Sequence, residues 1–138
     1  MLTIRFGNRG DLEAAVGWDR HTPEHILSWK LDHKDIIMAD QLDGCVGYMK
    51  LEHLWSQFPY IGLIRVKEEL RGNGIGMQML QFAQAHLKQQ GAAKLYSSSQ
   101  ADEPAPQMWH RKMGFTECGI LSGINDGGVG ELFFVKEL

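Results

Sequence analysis

The stretch "ELRGNGIGMQML", residues 69–80, sets three glycines within five positions, between a strand-like run and a helix-like one. Upstream, "YIGLIRV" (60–66) is apolar at nearly every place, the pattern of a strand covered on both faces. Downstream, "MQMLQFAQAHLKQQ" (77–90) spaces Met79, Leu80, Ala83 and Leu87 as one face of a helix, with Gly91 as its stop. A strand, a glycine turn and a helix N-terminus together make an anion site. The first helical turn leaves backbone N–H groups unpaired and carries the positive end of the helix dipole. Glycines let a ligand reach those groups with no Cβ in the way. Arg71 adds a full charge and a forked donor. From Leu70 through Ala101 there is no aspartate or glutamate, although the chain has 17 acids, so nothing nearby in sequence repels a phosphate.

The spacing narrows the anion. A nucleotide-binding P-loop ends in Gly-Lys-Ser/Thr, and "RGNGIGMQ" has neither the lysine nor the hydroxyl. The dinucleotide pattern G-x-G-x-x-G also fails, because Met77 stands where the third glycine belongs. What stands is Arg71-x-x-Gly74-x-Gly76. The plainer alternative is that these glycines only build a tight turn.

Working outward, "LTIRFG" (2–7) alternates as a short strand. Asp11 can cap a helix through "LEAAVGW", and "TPEHILSWKLDHK" (22–34) reads as a second helix with Thr22 at its cap and Pro23 at its first position. "DIIMADQLDGCVGYMKLEHLW" reads as a hairpin about Asp43-Gly44, after which "SQFP" (56–59) turns the chain into the central strand. "KLYSSSQ" (94–100) is a strand, "DEPAPQMWHRKM" (102–113) a helix stopped by Gly114, and "FTECGILSGIN" with "GVGELFFVKEL" a closing hairpin about "NDGG". The order β-α-α-β-β-β-α-β-α-β-β is mixed α/β, its first sheet strands running as antiparallel meanders and the helix after residue 76 supplying a crossover.

Composition sets the outer bounds. A chain of 138 residues with 43% hydrophobic and 22% charged residues suits one domain with a sizeable core. A formal charge of −3 argues against nucleic acid as the partner. No run approaches the length that spans a bilayer, and "MLTIRFGNRGDLEAAV" lacks the apolar core of a secretory signal, so a cytoplasmic location and no membrane partner are expected. Cys45 and Cys118 fit neither a disulfide framework nor a zinc ligand set, and are expected as reduced, partly buried thiols; no metal is expected.

"RVKEELRGNGIGMQML" resembles the acyl-CoA-binding signature of the GNAT N-acetyltransferase superfamily, Arg/Gln-x-x-Gly-x-Gly/Ala. "EPAPQMWHRKMGF" (103–115) is similar to that family's later motif, a helix ending in an aromatic, charged residues and Gly-Phe. Both stand in the family's order and spacing, and the expected elements follow its sequence along the whole chain. The resemblance implies one GNAT-like domain over 1–138: about seven strands, mostly antiparallel with a splayed parallel central pair, and four helices. It implies acetyl-CoA as co-substrate, its pyrophosphate cradled by Arg71, Gly72, Asn73, Gly74, Ile75 and Gly76. Its pantetheine arm would lie along the strand backbone at Ile64 and Val66. The implied reaction is direct transfer of acetyl to a primary amine of a small molecule or peptide within a ternary complex.

Two departures from the family pattern bear on chemistry. The tyrosine that commonly protonates the leaving thiolate is replaced, on alignment of "WHRKMGF", by His110. A histidine titrates near neutrality and could donate a proton, or it could be a polar residue on a solvent-facing helix. Ser98, Ser99 and Tyr96 on the neighbouring strand could also supply a hydroxyl. Glu103 stands where an asparagine usually contacts pantetheine, and reads equally as a first-turn acid. For a general base, Glu52 and His53 are adjacent on a strand and so face opposite sides, with Glu52 preferred; Glu68 and Glu69 read as a solvated turn. By the resemblance, Trp18, His21, His25 and Trp29 lie in the region walling the acceptor site, while both tryptophans also suit plain core packing. The contrasting function, prompted by the missing tyrosine, is a module that binds acyl-CoA without transferring the acyl group. The last hairpin offers an edge on which a second copy could pair as a homodimer.

Overall fold

The computed structural model describes residues 1–138. Its elements are β1 (Thr3–Phe6), α1 (Leu12–Trp18), α2 (Glu24–Asp32), β2 (Ile36–Gln41), β3 (Gly44–Leu54), β4 (Phe58–Val66), α3 (Ile75–Gln89), β5 (Lys94–Gln100), α4 (Pro104–Lys112), β6 (Thr116–Leu121) and β7 (Glu131–Glu137). The strands form a seven-stranded sheet in the order β1-β2-β3-β4-β5-β7-β6. β4 and β5 run parallel with Tyr60 opposite Tyr96, while β1–β2, β2–β3, β5–β7 and β6–β7 are antiparallel. The mixed fold read from the sequence, with its α3 crossover, is the fold observed. Packing gathers the chain into two compact units, one of residues 1–52 and 62–86, the other of 53–61 and 87–138.

In the first unit, α1 and α2 bury Ala15, Leu27 and Leu31 against Ile36, Met38 and Tyr48, with Leu12, Trp18, Cys45 and Leu63 packed around them. The two-residue alternation of β3 sends Tyr48 to this cluster and Gly47 elsewhere. A Cβ on Gly47 would sit 3.0 Å from Met79 Cε and 3.2 Å from Ala39 Cβ, so the α3 methionine packs directly on bare backbone. Arg5 of β1 donates to Asp40 and, through both terminal nitrogens, to Asp11. In the second unit, β5 and β7 hold a seven-residue ladder, and Leu95, Phe115, Phe134 and His110 are buried.

Four local expectations are corrected. Asp11 does not cap α1; its carboxylate is taken by Arg5 and by the backbone N–H of Asn8. Thr22 does not cap α2, whose N-cap is Pro23, because its hydroxyl donates to Asp19 and accepts from Lys50. The turn after β3 falls at Trp55 and Ser56, both with positive φ, so β4 begins at Phe58 and takes in Pro59. Nor is β4 covered on both faces, since Arg65 is exposed and most of its neighbours only half-buried. Of the two tryptophans, Trp18 stacks on Tyr48, but Trp29 is 54% exposed and stacks on His33 one turn on. Leu27, Lys30 and Leu31 are the buried positions of α2, and Trp29 lies off that face.

Candidate functional site

The chain leaves β4 through a 3-10 turn at Glu68–Leu70 and enters the glycine loop. Gly72 and Gly74 have φ of +83° and +81°, values that side chains rarely adopt, which is why this loop needs glycine. A Cβ would meet nothing within 4 Å at Gly72 and only Met77 Cε, at 3.8 Å, at Gly74, so the constraint is backbone conformation and not space. The first helical bond of α3 runs from Gln78 N–H to Gly74 O, which leaves the amides of Ile75, Gly76 and Met77 without an intrahelical acceptor. Ile75 is buried and pins the loop to the core, while Arg71, Gly72 and Asn73 are exposed. Asn73 Nδ2 donates to Leu70 O at 2.9 Å, and Arg71 Nε reaches Val66 O at 3.3 Å. The guanidinium is exposed and pairs with no carboxylate. Ile64 and Val66, on β4 just before this turn, are half-buried.

A pocket of about 250 Å³ opens in the same unit, lined by the segment after α1, by Lys50 of β3, and by Gly62, Leu63 and Arg65 of β4. Two of its lining residues, Asp19 and Lys50, belong to an ion network. Lys50 Nζ lies 2.9 Å from Asp19 and 3.4 Å from Glu52 Oε2, and Lys30 Nζ lies 2.7 Å from Glu52 Oε1 and 2.6 Å from Leu51 O. Burial works to raise the Asp19 carboxyl, but the bonds from Lys50 and Thr22 outweigh it and hold it below the usual carboxylate range. The Tyr48 phenol is pushed well up, by burial first and then by the charges of Asp19 and Glu52; its hydroxyl is buried with no partner. Glu52 thus has each oxygen turned to an ammonium. A Cβ on Gly62 would come within 2.6 Å of Glu52 Cγ, so that glycine makes room for the carboxylate.

In the second unit, His110 is 3% exposed, which removes the solvent-facing reading. Its Nδ1 lies 2.8 Å from Pro106 O and its Nε2 2.7 Å from Ser97 Oγ. A carbonyl can only accept, so Nδ1 carries the proton and Nε2 accepts from the serine. Burial lowers its pKa, outweighing the Pro106 bond, and the ring stacks on Phe134 at 4.5 Å. Ser98 belongs to another hydroxyl chain: its Oγ donates to Glu131 at 2.6 Å, Tyr60 Oη lies 2.6 Å from it, and Asn125 holds the other Glu131 oxygen. Ser99 Oγ is buried and unpartnered. Glu103 is the exposed N-cap residue of α4 and makes no side-chain capping bond. Burial raises the thiols of Cys45 and Cys118, the latter exposed on β6 and not partly buried as expected.

The sequence reading missed Lys30, Lys50, Tyr60 and Glu131. Two signals were there. Lys30 falls at helical spacing between Leu27 and Leu31, a charge at a core position, and Tyr48, Lys50 and Glu52 alternate along one face of β3.

The family model for the acetyltransferase (GNAT) family matches residues 7–115. No curated protein is similar enough in sequence to count as a match. The fold is shared with the ribosomal-protein-S18-alanine N-acetyltransferase of Escherichia coli, at 18% identity and TM-score 0.81, covering 99% of this chain and 94% of that one. It is shared with Arabidopsis thaliana NAA60, solved with a bisubstrate analogue, at 16% identity and TM-score 0.82, covering 99% and 98%. A Bacillus anthracis acetyltransferase in complex with acetyl coenzyme A aligns at 20% identity and TM-score 0.68, over 75% of this chain and 61% of that one.

Proposed function

The chain belongs to the GNAT acetyltransferase family, and from that premise we propose that it moves an acetyl group from acetyl-CoA to a primary amine by direct attack. The observation that carries the proposal is the loop 71–76: two positive-φ glycines, three free helix-start amides and an unpaired Arg71, in a segment without an acid. Arg71, Gly72, Asn73, Gly74, Ile75 and Gly76 would hold the pyrophosphate, with backbone amides as the main donors. Ile64 and Val66 would flank the pantetheine, and Glu103 would meet it only through its exposed carboxylate.

In the reaction, the lone pair of a neutral amine attacks the thioester carbonyl, the C–S bond breaks, and the ammonium proton leaves as the thiolate takes one up. Of the proton-carrying candidates, Ser98 has the most suitable surroundings. It joins the Tyr60 hydroxyl to the Glu131 carboxylate, a path along which a proton can move. His110 has both nitrogens engaged inside the unit, which supports a role in fixing α4 on β5. Glu52 would act more by its charge than as a base, since each oxygen is already paired with a lysine ammonium.

Thiol release from acetyl-CoA with a panel of amines tests the proposal. Turnover that falls at least tenfold in Ser98→Ala, with acetyl-CoA affinity kept, is expected; no turnover with any amine would overturn it. The second reading, a binding module without transfer, is favoured by the inward-turned His110, and tight acetyl-CoA binding without transfer to any amine would establish it.

A further inference from the structure

We propose that the acceptor carries an oxyanion besides its amine, an amino-acid-like carboxylate being the leading case, and that Arg20 and Arg65 bind it. This rests on the reading of the protein as an amine acetyltransferase.

The arginines of the fold are used unequally. The chain has six. Arg5, Arg9 and Arg111 each pair with a carboxylate of the fold. Arg71 stands at the glycine loop. The two that remain, Arg20 and Arg65, lie 45 positions apart in sequence and line the same pocket. Arg65 donates one nitrogen to Trp18 O at 3.2 Å and keeps its other donors, and Arg20 has no carboxylate partner. A guanidinium presents a planar fork that matches a carboxylate or phosphate with two parallel hydrogen bonds.

The remaining charges point the same way. Three cations, Arg20, Lys50 and Arg65, line the pocket against one carboxylate, Asp19. Asp19 is buried and already neutralised by Lys50 at 2.9 Å, so it cannot draw a second ammonium from solution. Glu52, beside Lys50, is held by two lysines. The pocket is therefore cation-rich in a chain whose net charge is −3. Polycationic acceptors such as polyamines would enter against like charge, while a monoamine bearing an anion would be drawn in and oriented. A volume of about 250 Å³ fits a small acceptor or the end group of a larger one.

The test compares matched pairs. Each proteinogenic amino acid is assayed beside its amide, phosphoethanolamine beside ethanolamine, and spermidine as the polycation, all with saturating acetyl-CoA. At least one anionic member should exceed its neutral partner tenfold in kcat/KM. Arg65→Gln and Arg20→Gln should each erase that preference by raising the acceptor KM, with the KM of acetyl-CoA unmoved. A preference confined to phosphoethanolamine would assign the oxyanion to phosphate and overturn the carboxylate assignment. Equal use of acids and amides, or spermidine as the best substrate, would overturn the proposal. If acetyl-CoA binds but no amine turns over, saturation-transfer NMR with the same pairs decides: acids that bind and amides that do not uphold the pocket while the transferase reading falls. Failure of both to bind overturns the pocket independently of that reading.

Discussion

At the scale of single residues, two positions carry the strongest demands. Gly74 holds φ at +81° where the loop meets α3, and a side chain with a β-branch costs about 1–2 kcal/mol in that backbone region. Gly74→Val should therefore fold with a modestly lower midpoint but bind acetyl-CoA at least about tenfold more weakly, since relief of strain turns the free amides away. Isothermal titration alongside urea unfolding separates the two effects. His110 makes the second demand. Burial makes its ring harder to protonate in the fold than in the open chain. Between the two titration points the unfolded chain binds more protons, so stability there rises with pH. Stability is thus kept above the unfolded value of about 6.5 and lost as pH falls below it. His86 is shifted the same way, by burial and by Lys34. The unfolding midpoint should drop more steeply between pH 7 and 5.5 in the wild type than in His110→Gln; identical slopes would show that His110 takes no part.

At the scale of elements, α2 is fastened to β3 by a lysine. Lys30 is buried along its stem, and its ammonium donates to Leu51 O and pairs with Glu52. Lys30→Met keeps the stem's packing and removes the charge-assisted bonds, worth about 2 kcal/mol for a buried donor. Lys30→Ala loses packing as well and should be clearly worse in chemical denaturation, so equal losses would mean the bonds carry everything. The same element shows why parts of the sequence misled. Thr22 before Pro23 has the pattern of a helix cap, but Asp19 and Lys50 compete for its hydroxyl, and Lys50 is 28 residues away. Asp11 is likewise taken by Arg5. Local chemistry located every helix and strand, because periodicity, glycine stops and proline starts depend only on neighbours. Which partner a polar side chain takes depends on tertiary neighbours. The glycine loop was legible because its requirement is backbone conformation, whereas the surroundings of Ser98 were not, because Tyr60 and Glu131 reach it from neighbouring strands, and Glu52 takes Lys30 from α2, 22 residues away in the chain.

At the scale of the whole molecule, charge is unevenly spent. A chain of net charge −3 keeps acids out of the 32 residues from Leu70 to Ala101 and leaves Arg71 free of any carboxylate. A polyphosphate ligand bound there as proposed would meet one exposed charge backed by fixed amide dipoles, and the two respond differently to salt. Acetyl-CoA at a hundred times its dissociation constant should stabilise the fold by about 2.7 kcal/mol. For a domain of this length that is a rise in midpoint of roughly 10 °C. ATP, which also has a polyphosphate but no pantetheine to take the path proposed along β4, should give a much smaller shift at equal concentration. Raising salt from 0.1 M to 0.5 M shortens the screening length from about 10 Å and weakens the exposed Arg71 contribution while leaving hydrogen bonds from the loop amides in place. The acetyl-CoA shift should shrink without vanishing, and Arg71→Gln should show the smaller shift already at low salt with little further loss. A midpoint raised equally by ATP and acetyl-CoA, or a shift that high salt abolishes, would mean that charge alone holds the ligand and that the glycine backbone has no part in it.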